Sequence, residues 1–173
     1  TLFRSAQSAE DSHTLIFPQF AHGTAAGVSI TSSVIVINNG GVSSSGTISL
    51  FSNQGDPMTV QTSLGTGHEF PFTLHSGEIL RLLTEGSSDL QVGWARVISD
   101  QPLSGSGTFA TFDGVGRFLS EVGISHSPPA QKTMIFVDTT DGKNTGFAFC
   151  NPTDSPGVQI LYELRDLNGN LVA

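Results

Sequence analysis

Thr47-Ile48-Ser49-Leu50-Phe51 alternates apolar and polar side chains and runs into the turn Gln54-Gly55-Asp56-Pro57; Ile160-Leu161-Tyr162-Glu163-Leu164 does the same into Asn168-Gly169-Asn170. In this register Ile48 and Leu50 stand against Tyr162 and Leu164 on one face of a strand. The correspondence extends upstream. The run Val34-Ile35-Val36-Ile37-Asn38 meets Phe147-Ala148-Phe149-Cys150-Asn151, and each ends on an asparagine at a turn. Further upstream still, Phe17 and Gly23 correspond to Phe136 and Gly142 at equal separation, with six extra residues of the first copy placed between Thr24 and Thr31. A stretch from Leu15 to Pro57 is therefore echoed from Met134 to Leu171, and a repeat at this spacing reads as stacked β modules.

Outward from that repeat, period-two segments bounded by Gly, Pro, Asn and Ser predict nine strands, at residues 14–20, 28–38, 46–52, 59–63, 69–74, 79–84, 91–99, 105–112 and 118–122. The expected class is an all-β antiparallel sandwich of immunoglobulin-like architecture with a partial second copy of the module. Its expected domains are an arm or linker at 1–13, a sandwich module at 14–125, a proline-containing linker at 126–132, and a partial second module at 133–173. Three strands with one apolar face are marginal alone. Phe147, Phe149, Ile160, Tyr162 and Leu164 thus need cover from residues beyond this segment, from the first module, or from a neighbouring subunit that donates a strand, with residues 1–20 as a donor.

The clearest alternation is Val92-Gly93-Trp94-Ala95-Arg96-Val97. It places Val92, Trp94 and Arg96 on one face and the small residues Gly93 and Ala95 with Val97 on the other, a surface suited to close sheet packing. Trp94, as the single tryptophan, is expected to anchor the core. Arg81 and Arg96 are candidates to pair with Glu78 or Glu121, contacts of little energetic weight when exposed.

Composition narrows the function. Seven Lys and Arg stand against fifteen Asp and Glu, a formal charge of −8, which argues against nucleic acid because affinity for phosphates needs clustered cations. Low charge content with abundant Ser, Thr and Gly suits an extracellular or cell-surface setting. A start at Thr1 fits a processed segment, and no stretch has the length of a transmembrane helix. Cys150 is the single cysteine and is expected to be a buried, inert thiol.

Catalytic patterns are missing. His13, His22, His68, His75 and His126 have no metal-ligand spacing, and the serines form no nucleophile elbow. Phe136-Val137-Asp138-Thr139-Thr140 approaches the loop of aspartic proteases but carries Thr140 where that loop needs glycine, and no second loop supplies the partner carboxylate. Catalytic, cofactor and metal site residues are therefore expected to be none. Asp138, Asp141, Asp154 and Asp166, with Asn168 and Asn170, form the one acidic grouping in which a structural calcium ion is conceivable, and turn capping explains the same residues.

Phe17-Pro18-Gln19-Phe20-Ala21-His22-Gly23, the strand ends at Asn38 and Asn151-Pro152, the Gly55 and Gly169 turns, Leu74-His75-Ser76-Gly77-Glu78 with Arg81-Leu82, and Leu90-Gln91-Val92-Gly93 together resemble the immunoglobulin-like β-sandwich repeats of large secreted or cell-surface bacterial proteins. That resemblance implies stalk, adhesion or matrix work and brings no catalytic residues. The expected function is a non-enzymatic, self-associating structural protein, a fibre or stalk subunit joined through sheet edges. The alternative is a ligand-binding module, for example for carbohydrate, which needs exposed planar aromatics.

Overall fold

A computed structural model describes residues 13–85, 89–143, 145–153 and 158–172. Ten strands follow in order: β1 Thr14–Ala25, β2 Val28–Ile37, β3 Ser44–Ser52, β4 Val60–Thr62, β5 Gly65–Gly67, β6 Glu69–Leu74, β7 Ile79–Leu83, β8 Gln91–Ser99, β9 Ser104–Phe112 and β10 Phe118–Ser125. The chain is an antiparallel all-β sandwich. One sheet runs β6-β3-β8-β1, the other β10-β9-β2-β7, and the hairpin β4-β5 lies apart.

The two sheets are joined through β1. Its first part pairs with β8, from Thr14 opposite Ile98 to His22 opposite Gln91, with a bulge between Phe17 and Phe20. Its last three residues pair instead with β2, Gly23 opposite Ile30 to Ala25 opposite Val28. The corner is held by Ser32, whose hydroxyl donates to the Ala21 carbonyl at 2.7 Å and accepts from the Ala21 N–H at 3.0 Å. Buried backbone groups left between two ladders need such partners. The strand therefore continues past residue 20, where the sequence pattern ends it, and turns through Ala26 and Gly27 in the left-handed region (φ 50° and 77°), a two-residue hairpin of type I′.

The core takes alternate residues from both sheets: Leu15, Phe17 and Phe20 of β1, Val34 and Val36 of β2, Ile48 and Leu50 of β3, Leu82 of β7, and Ala95 and Val97 of β8. The small face of β8 is the inward one. A Cβ on Gly93 would stand 1.8 Å from the Phe51 carbonyl oxygen, so only glycine permits this approach.

Trp94 consequently points the other way. It is buried, with 7% of its surface exposed, yet it lies outside the core cluster and stacks on Phe51 of β3 at 4.2 Å between centroids, with the Arg96 guanidinium 4.9 Å from the Phe51 ring centroid. This corrects the expectation of a core anchor. Strand parity decides the matter: Ala95 and Val97 occupy the interior, so their neighbours cannot.

Asn38 is fully buried where β2 ends. Its amide donates to the carbonyls of Val42 and Leu74, and its Oδ1 accepts from the Gly40 N–H, which ties the β2–β3 connection to β6. The proline-containing linker begins against the first module, where the Ser127 N–H donates to the Ile16 carbonyl at 2.8 Å.

Beyond the linker the architecture changes. The described residues of 133–172 form no ladder, only an isolated bridge of Arg165 with Leu171 and a 3-10 turn at Thr140–Gly142. Their apolar side chains stay in solvent: Phe136 is 76% exposed, Tyr162 54% and Leu167 95%. The first module does not cover them.

Candidate association surface

The residues singled out for chemistry are placed apart, and the carboxylates among them are used by their own turns. Asp138 accepts from the Thr140 hydroxyl and N–H and from Lys143 Nζ, and these contacts, the Thr140 hydroxyl foremost, hold its carboxyl below the usual range. Asp166 accepts from the Asn168 and Asn170 N–H groups and the Asn170 amide, which lowers its pKa in the same way. Both carboxylates serve as turn caps. Asp154 lies outside the described residues. Among the described residues no three His, Cys, Asp or Glu side chains come together to hold a metal.

His13 meets the Ser99 carbonyl through Nδ1, and His75 meets the Ser43 hydroxyl. His22 is buried at the β1 corner, its Nδ1 has no partner, and burial depresses its pKa. Cys150 is half-buried, and desolvation pushes its thiol up to about 11, away from nucleophilic use. Glu78 accepts from the His75 N–H, and among the described residues the ion pairs are Arg117–Asp113, Lys143–Asp138 and Arg165–Glu163, with none to Arg81 or Arg96. A shallow cleft of about 360 Å³ is lined by Leu64, Thr66, Glu69, Phe70, Pro71 and Leu80, with the Glu69 carboxylate and the Thr66 hydroxyl as its polar side chains.

The sheet edges differ more informatively. An edge strand offers unpaired backbone groups to any passing strand, and natural sheets blunt such edges. In the first sheet, β6 carries Pro71 opposite Thr47, and a proline is tolerated there only with its missing N–H on the outward side. At the other end of that sheet, β1 is met by Ser127. In the second sheet, β7 is closed by the β4–β5 turn: the Ser63 hydroxyl accepts from the Leu83 N–H and reaches the Arg81 carbonyl, and the Ser63 N–H donates to the Leu83 carbonyl.

The fourth edge is β10. Among the described residues no strand pairs with its outer side. It is eight residues long and exposed along almost its whole length, with Phe118 at 60%, Leu119 at 55% and Val122 at 46%. The hairpin that presents it is rigid: Asp113 caps the turn through the Val115 and Arg117 N–H groups, and Phe112 packs edge-on against Phe118 at 6.0 Å. Sequence reading placed the strand but not its position, because being terminal in a sheet depends on pairings distant in the chain.

No family model, no curated protein and no solved structure matches this chain. No helix among the described residues is long and apolar enough to cross a membrane. Fold and surface together define the class as an antiparallel all-β sandwich with one edge, β10, that no strand pairs with among the described residues.

Proposed function

We propose that this chain is a non-enzymatic structural module of a secreted or cell-surface assembly, associating with copies of itself through the open edge of β10. One observation carries the reading: three sheet edges are covered or blunted, and the fourth is eight residues long, unpaired among the described residues and carries exposed Phe118, Leu119 and Val122, although a bulge between Phe118 and Ser120 and the charge of Glu121 interrupt it. A second β10 laid antiparallel against it would join two sheets into one, gaining main-chain hydrogen bonds and burying Phe118, Leu119 and Val122. The acidic, charge-poor composition supports the extracellular setting, as does the resemblance to bacterial surface repeats of immunoglobulin-like architecture. Trp94, buried beneath its stack with Phe51, offers no exposed ring for a sugar, which weighs against the carbohydrate-binding alternative, while Tyr162 is 54% exposed. The residues proposed earlier as a donor strand are restricted too, because 14–20 lie inside β1 with Leu15, Phe17 and Phe20 in the core.

The test is particle mass against concentration by light scattering for the chain and for Val122→Lys, whose charge obstructs strand addition without touching the core. Association that rises with concentration and is lost in Val122→Lys supports the reading. A parent chain that remains monomeric to millimolar concentration overturns it.

A further inference from the structure

Three local geometries of the first module recur, in the same order, in residues 133–172. The first is the type I′ turn: Ala26 and Gly27 at φ 50° and 77° have counterparts in Asp141 and Gly142 at 53° and 76°, closed by the Lys143 N–H on the Thr140 carbonyl. The second is an asparagine turn, in which Asn38 Oδ1 accepts from the N–H of Gly40 and Asn151 Oδ1 accepts from that of Thr153. The third is a hairpin. Ser52 N–H to Asp56, Gly55 N–H to Ser52 and Met58 N–H to Leu50 (2.8, 3.0 and 2.9 Å) are matched by Asp166 to Asn170, Gly169 to Asp166 and Val172 to Leu164 (2.9, 3.0 and 2.8 Å). Gly55 and Gly169 both take positive φ, 88° and 85°, and isolated bridges pair Phe51 with Pro57 and Arg165 with Leu171.

The hairpin form alone is common currency, since Asp113 to Arg117 repeats it between β9 and β10. Order and spacing are specific. Gly27 to Asn38 is eleven residues and Gly142 to Asn151 nine; Asn38 to Gly55 is seventeen and Asn151 to Gly169 eighteen. The ring of Tyr162 also lies 5.5 Å from that of Phe147 and 6.0 Å from that of Phe149. In the first module the corresponding Ile48, Val34 and Val36 belong to one core cluster, contributed by strands of opposite sheets.

We propose that residues 133–172 are the first three strands of a second copy of this module, with their turns set and their ladders empty, and that their apolar face seats strands of the β6–β9 pattern from the same repeat. The first module explains the empty ladders. There β1 and β3 never pair with each other; β8 lies between them, with Ala95 opposite both Phe17 and Leu50. Likewise β2 is bordered by β7 and β9 along most of its length. Three such strands without β7, β8 and β9 can keep their turns and the contact across the core, but beyond the short β1–β2 hairpin, three residues of each strand in the first module, they have nothing to pair with. Gly142 takes the place of Gly27 rather than Gly23, so the six-residue difference is shared between both arms of a shortened hairpin.

One position constrains the occupant. Ile160 stands where the first copy has Gly46, at which a Cβ would be 2.3 Å from the Ile98 carbonyl oxygen and 2.7 Å from the Phe72 ring. The completing strands therefore stand farther back from this position than the β8 backbone does from Gly46, and they lack the bulk of Phe72 there.

The test extends the full chain by a copy of residues 59–125 after Val172, the position equivalent to Met58, and reads hydrogen exchange at 145–153 and 158–172. Val122→Lys is placed in both copies, so that failure of β10 association does not enter the result. Two fusions are made, one with the native segment and one with Phe147→Val, Phe149→Val, Ile160→Gly and Tyr162→Ile, which gives this face the first copy's residues. Slowing of exchange by about 100-fold in either fusion, relative to the unextended chain, is the expected result. Unprotected amides in both fusions, with the first module still protected, overturn the proposal. So does protection in the unextended chain that grows with concentration, because a second whole copy would then be the cover.

Discussion

Leu50 and Leu164 each accept the last hydrogen bond of the same hairpin, yet Leu50 is 0% exposed and Leu164 47%. The difference between the two regions lies in what stands beside the strands. Local hydrogen bonds and positive-φ glycines set turns without outside help, whereas burial needs the long-range ladders that β8 and β9 supply in residues 14–125. A turn is thus a property of five or six residues, and a core is a property of the whole sheet order.

The comparison breaks most sharply by truncation. Leu50→Ala leaves a cavity between the sheets and should cost about 2–5 kcal/mol in urea unfolding. Leu164→Ala should stay within about 0.5 kcal/mol, because its side chain already meets water. A large loss at Leu164 would mean that the segment has a core the exposure values do not reveal. Asn38→Ala should follow, at about 1–3 kcal/mol, since it strands the Val42 and Leu74 carbonyls at a fully buried site. The same change at Asn151 should cost a fraction of that.

Acid sharpens the contrast by a different route. His22 has its folded pKa lowered by burial from an ordinary value of 6.5, and His126 is shifted the same way by the same cause. The unfolded chain therefore binds protons first as pH falls below about 6.5, and the stability held at neutral pH declines from there down through the folded pKa values. The position equivalent to His22 in the second segment, four residues before its turn, is Val137, so the His22 part of the effect belongs to the first module and the His126 part to the start of the linker. Urea midpoints between pH 5 and 7.5 should show a slope that His22→Gln reduces and His22→Gln with His126→Gln removes. A slope unchanged in the double variant would locate the titration elsewhere.

Most strands were legible because β3 and β8 alternate along much of their length, β2 carries the β-branched run Val34-Ile35-Val36-Ile37, and their boundaries carry Gly, Asn or Pro. The corner in β1 was not, since Gly23, at φ 112° where the pairing passes from β8 to β2, reads as the end of a strand rather than as a bend within one, and the change of sheet depends on Ser32, eleven residues from its Ala21 partner. Trp94 misled for an energetic reason: ring size argues for the interior, but the close approach of β8 to β3 needed Gly93 there and parity then turned the ring outward. The open edge was invisible because Phe118, Leu119 and Val122 read as an ordinary strand until its place at the end of the sheet is known. Pro71 was the one edge signal printed in the sequence, and it marks an edge that is closed.

The smallest effect concerns the turn the two regions share. Ala26 sits at φ 50°, where an L residue with a Cβ is strained, whereas the equivalent Asp141 is of a type that tolerates that region through local hydrogen bonding. Ala26→Asp transfers the second segment's choice into the first module. It should stabilise the module by about 0.5–1 kcal/mol, seen as a raised urea midpoint with an unchanged slope. The converse change, Asp141→Ala, should leave the midpoint untouched, because a turn with no ladder behind it does not take part in cooperative unfolding. If Ala26→Asp destabilised the module, the backbone there would have to differ from that of Asp141, and the first of the three shared geometries would no longer hold.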